Sequence, residues 1–107
     1  MALTLSSQET QDEIRITLSG ELDAAVAPQF KEAVEKAALG EPKRLVLFMN
    51  KLNFLASAGL RVLIFAKQKM GPGVAIYIVG SQGPVLNTLE MSGFHQSVYV
   101  QATYSPQ

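Results

Sequence analysis

The sequence contains no cysteine and no tryptophan, a single histidine, and no surplus of either charge, with nine Lys+Arg set against nine Asp+Glu. Without cysteine there is no disulfide, no thiolate nucleophile and no Cys-based metal site. His95 cannot build a histidine zinc site alone, and the acidic residues are scattered rather than gathered into a calcium loop. No metal and no other cofactor is therefore expected. A zero formal charge argues against a protein that tracks nucleic-acid phosphates, which would carry a basic excess or stripe. No apolar run approaches the roughly 18 residues of a membrane span. The start, Met1-Ala2-Leu3-Thr4-Leu5, lacks a basic stretch followed by an apolar one, so no secretory signal is read and a cytoplasmic protein is expected.

The inventory for catalysis is equally thin. A Ser-His-Asp arrangement would have to use His95, which reads as an exposed loop histidine in Gly93-Phe94-His95-Gln96. Neither a GxxxxGK[ST] loop nor a GxGxxG motif occurs, and Gly71-Pro72-Gly73 is a turn with no strand before it. Glu21 and Asp23 are close enough in sequence to form a carboxylate pair, but they read as solvated loop residues. Lys43 and Arg44, like Lys67 and Lys69, read as solvated faces rather than a basic patch. The chain is not expected to be an enzyme.

What is present is apolar periodicity. At 48% hydrophobic and 17% charged residues the chain is too apolar for intrinsic disorder, and 107 residues suit one domain, residues 1–107. Ile14, Ile16 and Leu18 alternate with polar residues, predicting a half-buried strand that ends at Gly20, with Leu3 and Leu5 in a short edge strand beside it. After a loop over 21–27, Pro28 opens a helix carrying Phe30, Val34 and Ala37 or Ala38, closed by Gly40. Leu45–Met49 is continuously apolar, which suits a strand covered on both faces and is typical of parallel sheets with crossover helices, and a polar break follows at Asn50-Lys51. A second helix is predicted over 57–69, burying Leu60, Leu63 and Ile64. Val74–Val79 is a further buried strand, in which Tyr77 packs. Pro84 opens a third helix carrying Val85, Leu86 and Leu89, and Gly93 stops it. Val98-Tyr99-Val100 forms a last strand, with Tyr99 half-buried, and residues 105–107 form a frayed tail. This alternation predicts a single α/β domain with a mixed, largely parallel sheet.

One segment has the look of a site. Phe54-Leu55-Ala56-Ser57-Ala58-Gly59-Leu60-Arg61 links a buried strand to an amphipathic helix through small residues that leave the helix start open to a partner or an anion. Ser57 is expected to be the N-cap, worth about 1 kcal/mol. Phosphorylation of the same hydroxyl would add roughly −1.5 to −2 of charge at the positive end of the helix macrodipole. The fold would tolerate that dianion, and a partner docked over the turn would not.

These motifs resemble the STAS domain, in its stand-alone form as an anti-sigma factor antagonist. Gly20-Glu21-Leu22-Asp23 resembles the family's G-E-L-D signature, and residues 52–60 resemble L-x-F-[ILM]-D-S-[SAT]-G-L. Glu90-Met91-Ser92-Gly93-Phe94 resembles D-M-S-G-L, and Gly71 and Gly73 fall in the usual turn before the fourth strand. The resemblance spans nearly the whole chain. It implies that Ser57 is the phosphoacceptor and that Asp23, Ala56, Ser57, Ala58, Gly59, Leu60 and Arg61 form a partner-binding surface, with Glu21 structural or solvated. It also implies partner switching. The unphosphorylated chain would bind an anti-sigma factor that is itself a serine kinase of the histidine-kinase-like ATPase type. Phosphorylation of Ser57 would release it, and a PP2C-type phosphatase would reset the cycle.

The chain departs from the family pattern at three places. Ala56 stands where Asp usually precedes the phosphoacceptor, Phe48 replaces an Asp or Asn of the third strand, and Val26-Ala27 replaces a Thr cap, leaving Asp23 to cap the first helix. Two alternatives stay open on sequence grounds: an unswitched STAS scaffold, as in a lipid-transport complex, and a nucleotide-binding regulator. Near-neutral charge without an evident edge patch favours a monomer.

Overall fold

The computed structural model describes residues 3–104, so the tail expected over 105–107 lies outside the described residues. Five strands form one sheet in sequence order: β1 (Leu3–Glu9), β2 (Glu13–Leu22), β3 (Arg44–Leu55), β4 (Ala75–Val79) and β5 (Tyr99–Gln101). β1 runs antiparallel to β2, and every later neighbour is parallel. Parallel neighbours need a crossover. The chain supplies α1 (Ala27–Leu39), α2 (Ser57–Met70) and α3 (Gly83–Ser92), each between consecutive parallel strands, with a short 3₁₀ turn at Phe94–Gln96 before β5.

Period-2 alternation sends Ile14, Ile16 and Leu18 of β2 to one face, where they join Leu45, Leu47 and Met49 of β3 and Ile76 and Ile78 of β4. Phe30, Val34 and Ala37 of α1, Val62, Leu63 and Ala66 of α2, and Val85 and Leu89 of α3 close the same cluster. Burying each larger side chain contributes about 1.5–3 kcal/mol. All three helices thus lie on one face, and β3 is nevertheless buried on both, as its continuous apolar run predicts. Val46 and Val79 are buried on the other face, outside that cluster. Aromatic rings serve that face instead: Tyr104 lies 6.2 Å from Phe48 and 5.3 Å from Tyr77, and Tyr77 stacks on Tyr99 at 4.8 Å. Tyr99 itself is 56% exposed rather than half-buried.

The element order matches the sequence reading, and several boundaries differ. β1 is a full strand, paired with β2 from Leu3↔Gly20 to Glu9↔Ile14. β2 runs past Gly20 to Leu22, and β3 runs through Asn50 and Lys51 to Leu55. The two strands pair along this extension with register shifts between Thr17 and Ser19 and between Gly20 and Glu21. Each shift places an extra residue in β3, and Gly20 takes φ 104° there. α2 buries Gly59, Val62, Leu63 and Ala66, while Leu60 is half-buried and Ile64 is 40% exposed. In α3, Leu86 is likewise only half-buried. His95 is half-buried in the 3₁₀ turn with Nδ1 3.4 Å from the Leu89 carbonyl, not an exposed loop residue.

Arg44 is not a solvated face either. Its Nε donates to Glu13 at 3.1 Å, and Glu13 also accepts from Arg15 and Tyr104. Lys43 does stay exposed, 3.7 Å from Asp12.

Candidate functional site

The C-terminal ends of β2 and β3 deliver the two signature segments to one place. Leu22 pairs with Leu55, and the next backbone N–H, that of Ala56, donates to the Leu22 carbonyl at 2.9 Å. That bond holds Ala56 extended, with φ −82° and ψ 166°, while its own carbonyl accepts from Leu60 N–H at 3.0 Å. Ala56 is therefore the N-cap of α2, and Ser57 is its first helical residue. This corrects the expected capping role of Ser57. An alanine side chain cannot accept a hydrogen bond, so α2 begins with no side-chain cap and no acidic residue in its first turn.

The Ser57 side chain is left with nothing to hold. It is exposed, and its Oγ has no hydrogen-bond partner among the described residues. Behind it the backbone is fixed by close packing. A Cβ on Gly59 would lie 2.6 Å from Leu22 Cγ and 2.9 Å from Leu55 Cδ1, contacts that real Cβ atoms do not make. Only glycine lets the first turn of α2 sit down on both strand ends. Gly59 is accordingly buried, and it supports the surface from beneath.

Asp23 is half-buried and engaged with backbone. Its Oδ1 accepts from Ala25 N–H at 3.0 Å and Val26 N–H at 3.2 Å, and its carbonyl accepts from Ala27 N–H at 3.0 Å. The carboxylate thus closes the turn that enters α1, whose formal N-cap, Val26, offers no side-chain bond. Asp23 adjoins Leu22, so this turn lies beside the start of α2. Ala58 and Leu60 are half-buried, and Arg61 is exposed.

Phe54 is the residue that sequence reasoning left out of the surface. The bulge at Gly20/Glu21 breaks the two-residue period of β3, so Leu52 and Leu55 turn inward while Asn53 and Phe54 face solvent. Phe54 is 44% exposed, three residues before Ser57. An apolar ring presented to water beside small residues is a common anchor for a partner. A bulge has no strong local sequence signal, and the apolar run alone ends the strand at Met49, short of Phe54.

Burial pushes the Glu13 carboxyl up, but hydrogen bonds from Tyr104, Arg15 and Arg44 outweigh it and hold the group at about 2. Glu13 begins β2, at the end of the sheet opposite Ser57. The depression lined by Lys43, Lys67, Gly73 and Tyr99 also belongs to that opposite end. Among the described residues no three His, Cys, Asp or Glu side chains gather to hold a metal ion, and no helix is long and apolar enough to cross a membrane.

Comparison with known proteins places this geometry in a familiar setting. A family model for the STAS domain matches residues 5–105. The anti-sigma-F factor antagonist RsfB of Mycobacterium tuberculosis is 24% identical over 88 residues, covering 82% of this chain and 72% of that protein. The crystal structure of an anti-sigma factor antagonist from Mycobacterium paratuberculosis superposes with a TM-score of 0.88 at 22% identity, covering 95% of this chain and 87% of the other. The Bacillus cell fate determinant SpoIIAA in its phosphorylated form superposes with a TM-score of 0.73 at 19% identity, covering 95% and 92%.

Proposed function

The chain belongs to the STAS domain family, and from that premise we propose that it is an anti-sigma factor antagonist switched by phosphorylation of Ser57. The observation that carries the reading is the Ser57 hydroxyl, exposed and unbonded on a first helical turn locked to the sheet by Gly59. A kinase can reach it without unfolding anything. The names of the relatives, which include an antagonist of an anti-sigma factor and a phosphorylated form, support the same role.

In this reading the unphosphorylated chain docks on its partner through Phe54, Ala56, Ser57, Ala58, Leu60 and Arg61, with Asp23 shaping the adjoining turn and Gly59 the support. The partner is an anti-sigma factor that is also a serine kinase of the histidine-kinase-like ATPase type, and docking frees the sigma factor in the cytoplasm. The kinase transfers the γ-phosphoryl group of ATP to Ser57 Oγ; the hydroxyl proton is lost and ADP leaves. A hydrated dianion then stands where small side chains met the partner. Its desolvation is costly, so the complex separates. The scaffold does not suffer, because negative charge at a helix N-terminus is favourable by about 0.3–1 kcal/mol. A PP2C-type phosphatase returns the serine by hydrolysis. The chain itself does no chemistry, binds no nucleic acid and acts as a monomer.

The test compares wild type, Ser57→Ala and Ser57→Asp for phosphorylation by the cognate kinase with ATP and for binding to the anti-sigma factor. Label on wild type alone, with binding kept by Ser57→Ala and lost by Ser57→Asp, supports the switch. Equal binding by all three would favour an unswitched scaffold.

A further inference from the structure

Arg61 is exposed on α2 and has no ion pair or hydrogen bond among the described residues. It follows Ser57 by four positions, one helical turn along the same face. Residues so spaced have Cβ atoms about 5–6 Å apart. Helical side chains lean toward the N-terminus, so a long side chain at position 61 reaches back over the turn that begins at Ser57. The surroundings offer the guanidinium few competitors. The Asp23 carboxylate is occupied by the Ala25 and Val26 N–H groups, and no acidic residue stands in the first turn of α2. From α1, which packs against α2, Lys31 lies over the Phe65 ring at 4.9 Å, one turn beyond Arg61.

We propose that Arg61 is the internal counter-ion of phosphorylated Ser57, its guanidinium folding back one turn to bond the phosphate oxygens. The inference rests on the reading of Ser57 as the phosphoacceptor and adds a second effect of the modification. Phosphorylation introduces negative charge, and it also withdraws a cation that the unmodified surface exposes. Guanidinium suits this role because its planar fork offers two parallel N–H donors to two phosphate oxygens in a fixed geometry, whereas an ammonium acts as a point charge.

The experiment uses the full chain with phosphoserine installed at position 57 during translation, in otherwise wild-type, Arg61→Lys and Arg61→Gln backgrounds. Titration of the phosphate is followed by ³¹P NMR. The second ionisation is expected about 0.4 of a pH unit lower with Arg61 than with Gln, a roughly 2.5-fold drop in proton affinity, with Lys between them. Circular dichroism of the same samples establishes that each is folded. Identical titration curves in the three backgrounds would overturn the proposal. Because the phosphate is built in, the result is independent of whether any kinase modifies Ser57, so failure here and failure of the switch are separate outcomes.

Discussion

The hydroxyl of Tyr104 donates to the carboxylate of Glu13, joining the described C-terminal segment to the first residue of β2 across 91 positions. Glu13 is 4% exposed and takes Arg15 and Arg44 as its other partners. Arg15 in turn lies 5.3 Å from the centre of the Tyr104 ring. A buried carboxylate survives when paired and hydrogen-bonded, and this one has three donors. The network fastens the aromatic cover to the helix-free face of the sheet, at the end away from Ser57.

Acid should loosen this fastening. The Glu13 carboxyl is held at about 2, below its ordinary value of 4.5. A depressed carboxyl contributes stability that is present above the unfolded value and lost as pH falls from about 4.5 toward about 2. Solvent at the partly exposed guanidinium groups screens the pairing, leaving on the order of 1–2 kcal/mol. Urea unfolding of wild type and Glu13→Gln from pH 6 to pH 2.5 should show wild type ahead at pH 6 and the difference shrinking in acid. A constant difference across that range would show that ionisation of Glu13 has no part in it.

Removing the Tyr104 hydroxyl isolates one donor. Tyr104→Phe keeps the ring contacts with Phe48 and Tyr77 and deletes the bond to a charged acceptor, which is worth about 1.5–3 kcal/mol. The denaturation midpoint should fall with the slope unchanged, since the surface exposed on unfolding is the same. In the proposed role, binding to an anti-sigma factor should not change, because Ser57 lies at the other end of the strands.

Gly59→Ala tests the seat of the site. The new methyl would meet Leu22 Cγ at 2.6 Å, so α2 has to lift or the leucine has to move. Overpacking of this kind costs about 1–3 kcal/mol. For a domain of this size, each kcal/mol lowers Tm by about 4–8 °C. Partner affinity should also fall at temperatures where the variant remains folded, because the surface around Ser57 moves with α2. A variant that keeps wild-type Tm would refute the close packing.

Phe54 separates docking from folding. At 44% exposure the ring contributes little to the core, so Phe54→Ala should change stability by within about 0.5 kcal/mol. If the ring anchors the partner, calorimetric titration with the anti-sigma factor should show a loss of at least about 1 kcal/mol, roughly fivefold in Kd. Unchanged affinity would remove Phe54 from the surface.

The alternation of elements and their inward faces are legible in local periodicity. Ile14, Ile16 and Leu18 repeat every second residue, and Phe30, Val34 and Ala37 follow helical spacing. Period is a local property, and so are the turns at Gly71-Pro72-Gly73 and Gly93. The signature around Ser57 was legible for the same reason, being contiguous.

Features that depend on a distant neighbour emerge only in the folded chain. β2 and β3 continue to Leu22 and Leu55 because each supplies the other's hydrogen bonds, and the bulges in that ladder turn Phe54 outward. The capping position passed to Ala56 because the Leu22 carbonyl captured its N–H, leaving the Ser57 hydroxyl free. Glu13 is buried and ionised because Tyr104 and two arginines come to it. Hydrogen-bond partners and desolvation are set by which segments meet in space, and a one-dimensional pattern carries periodicity without carrying those meetings.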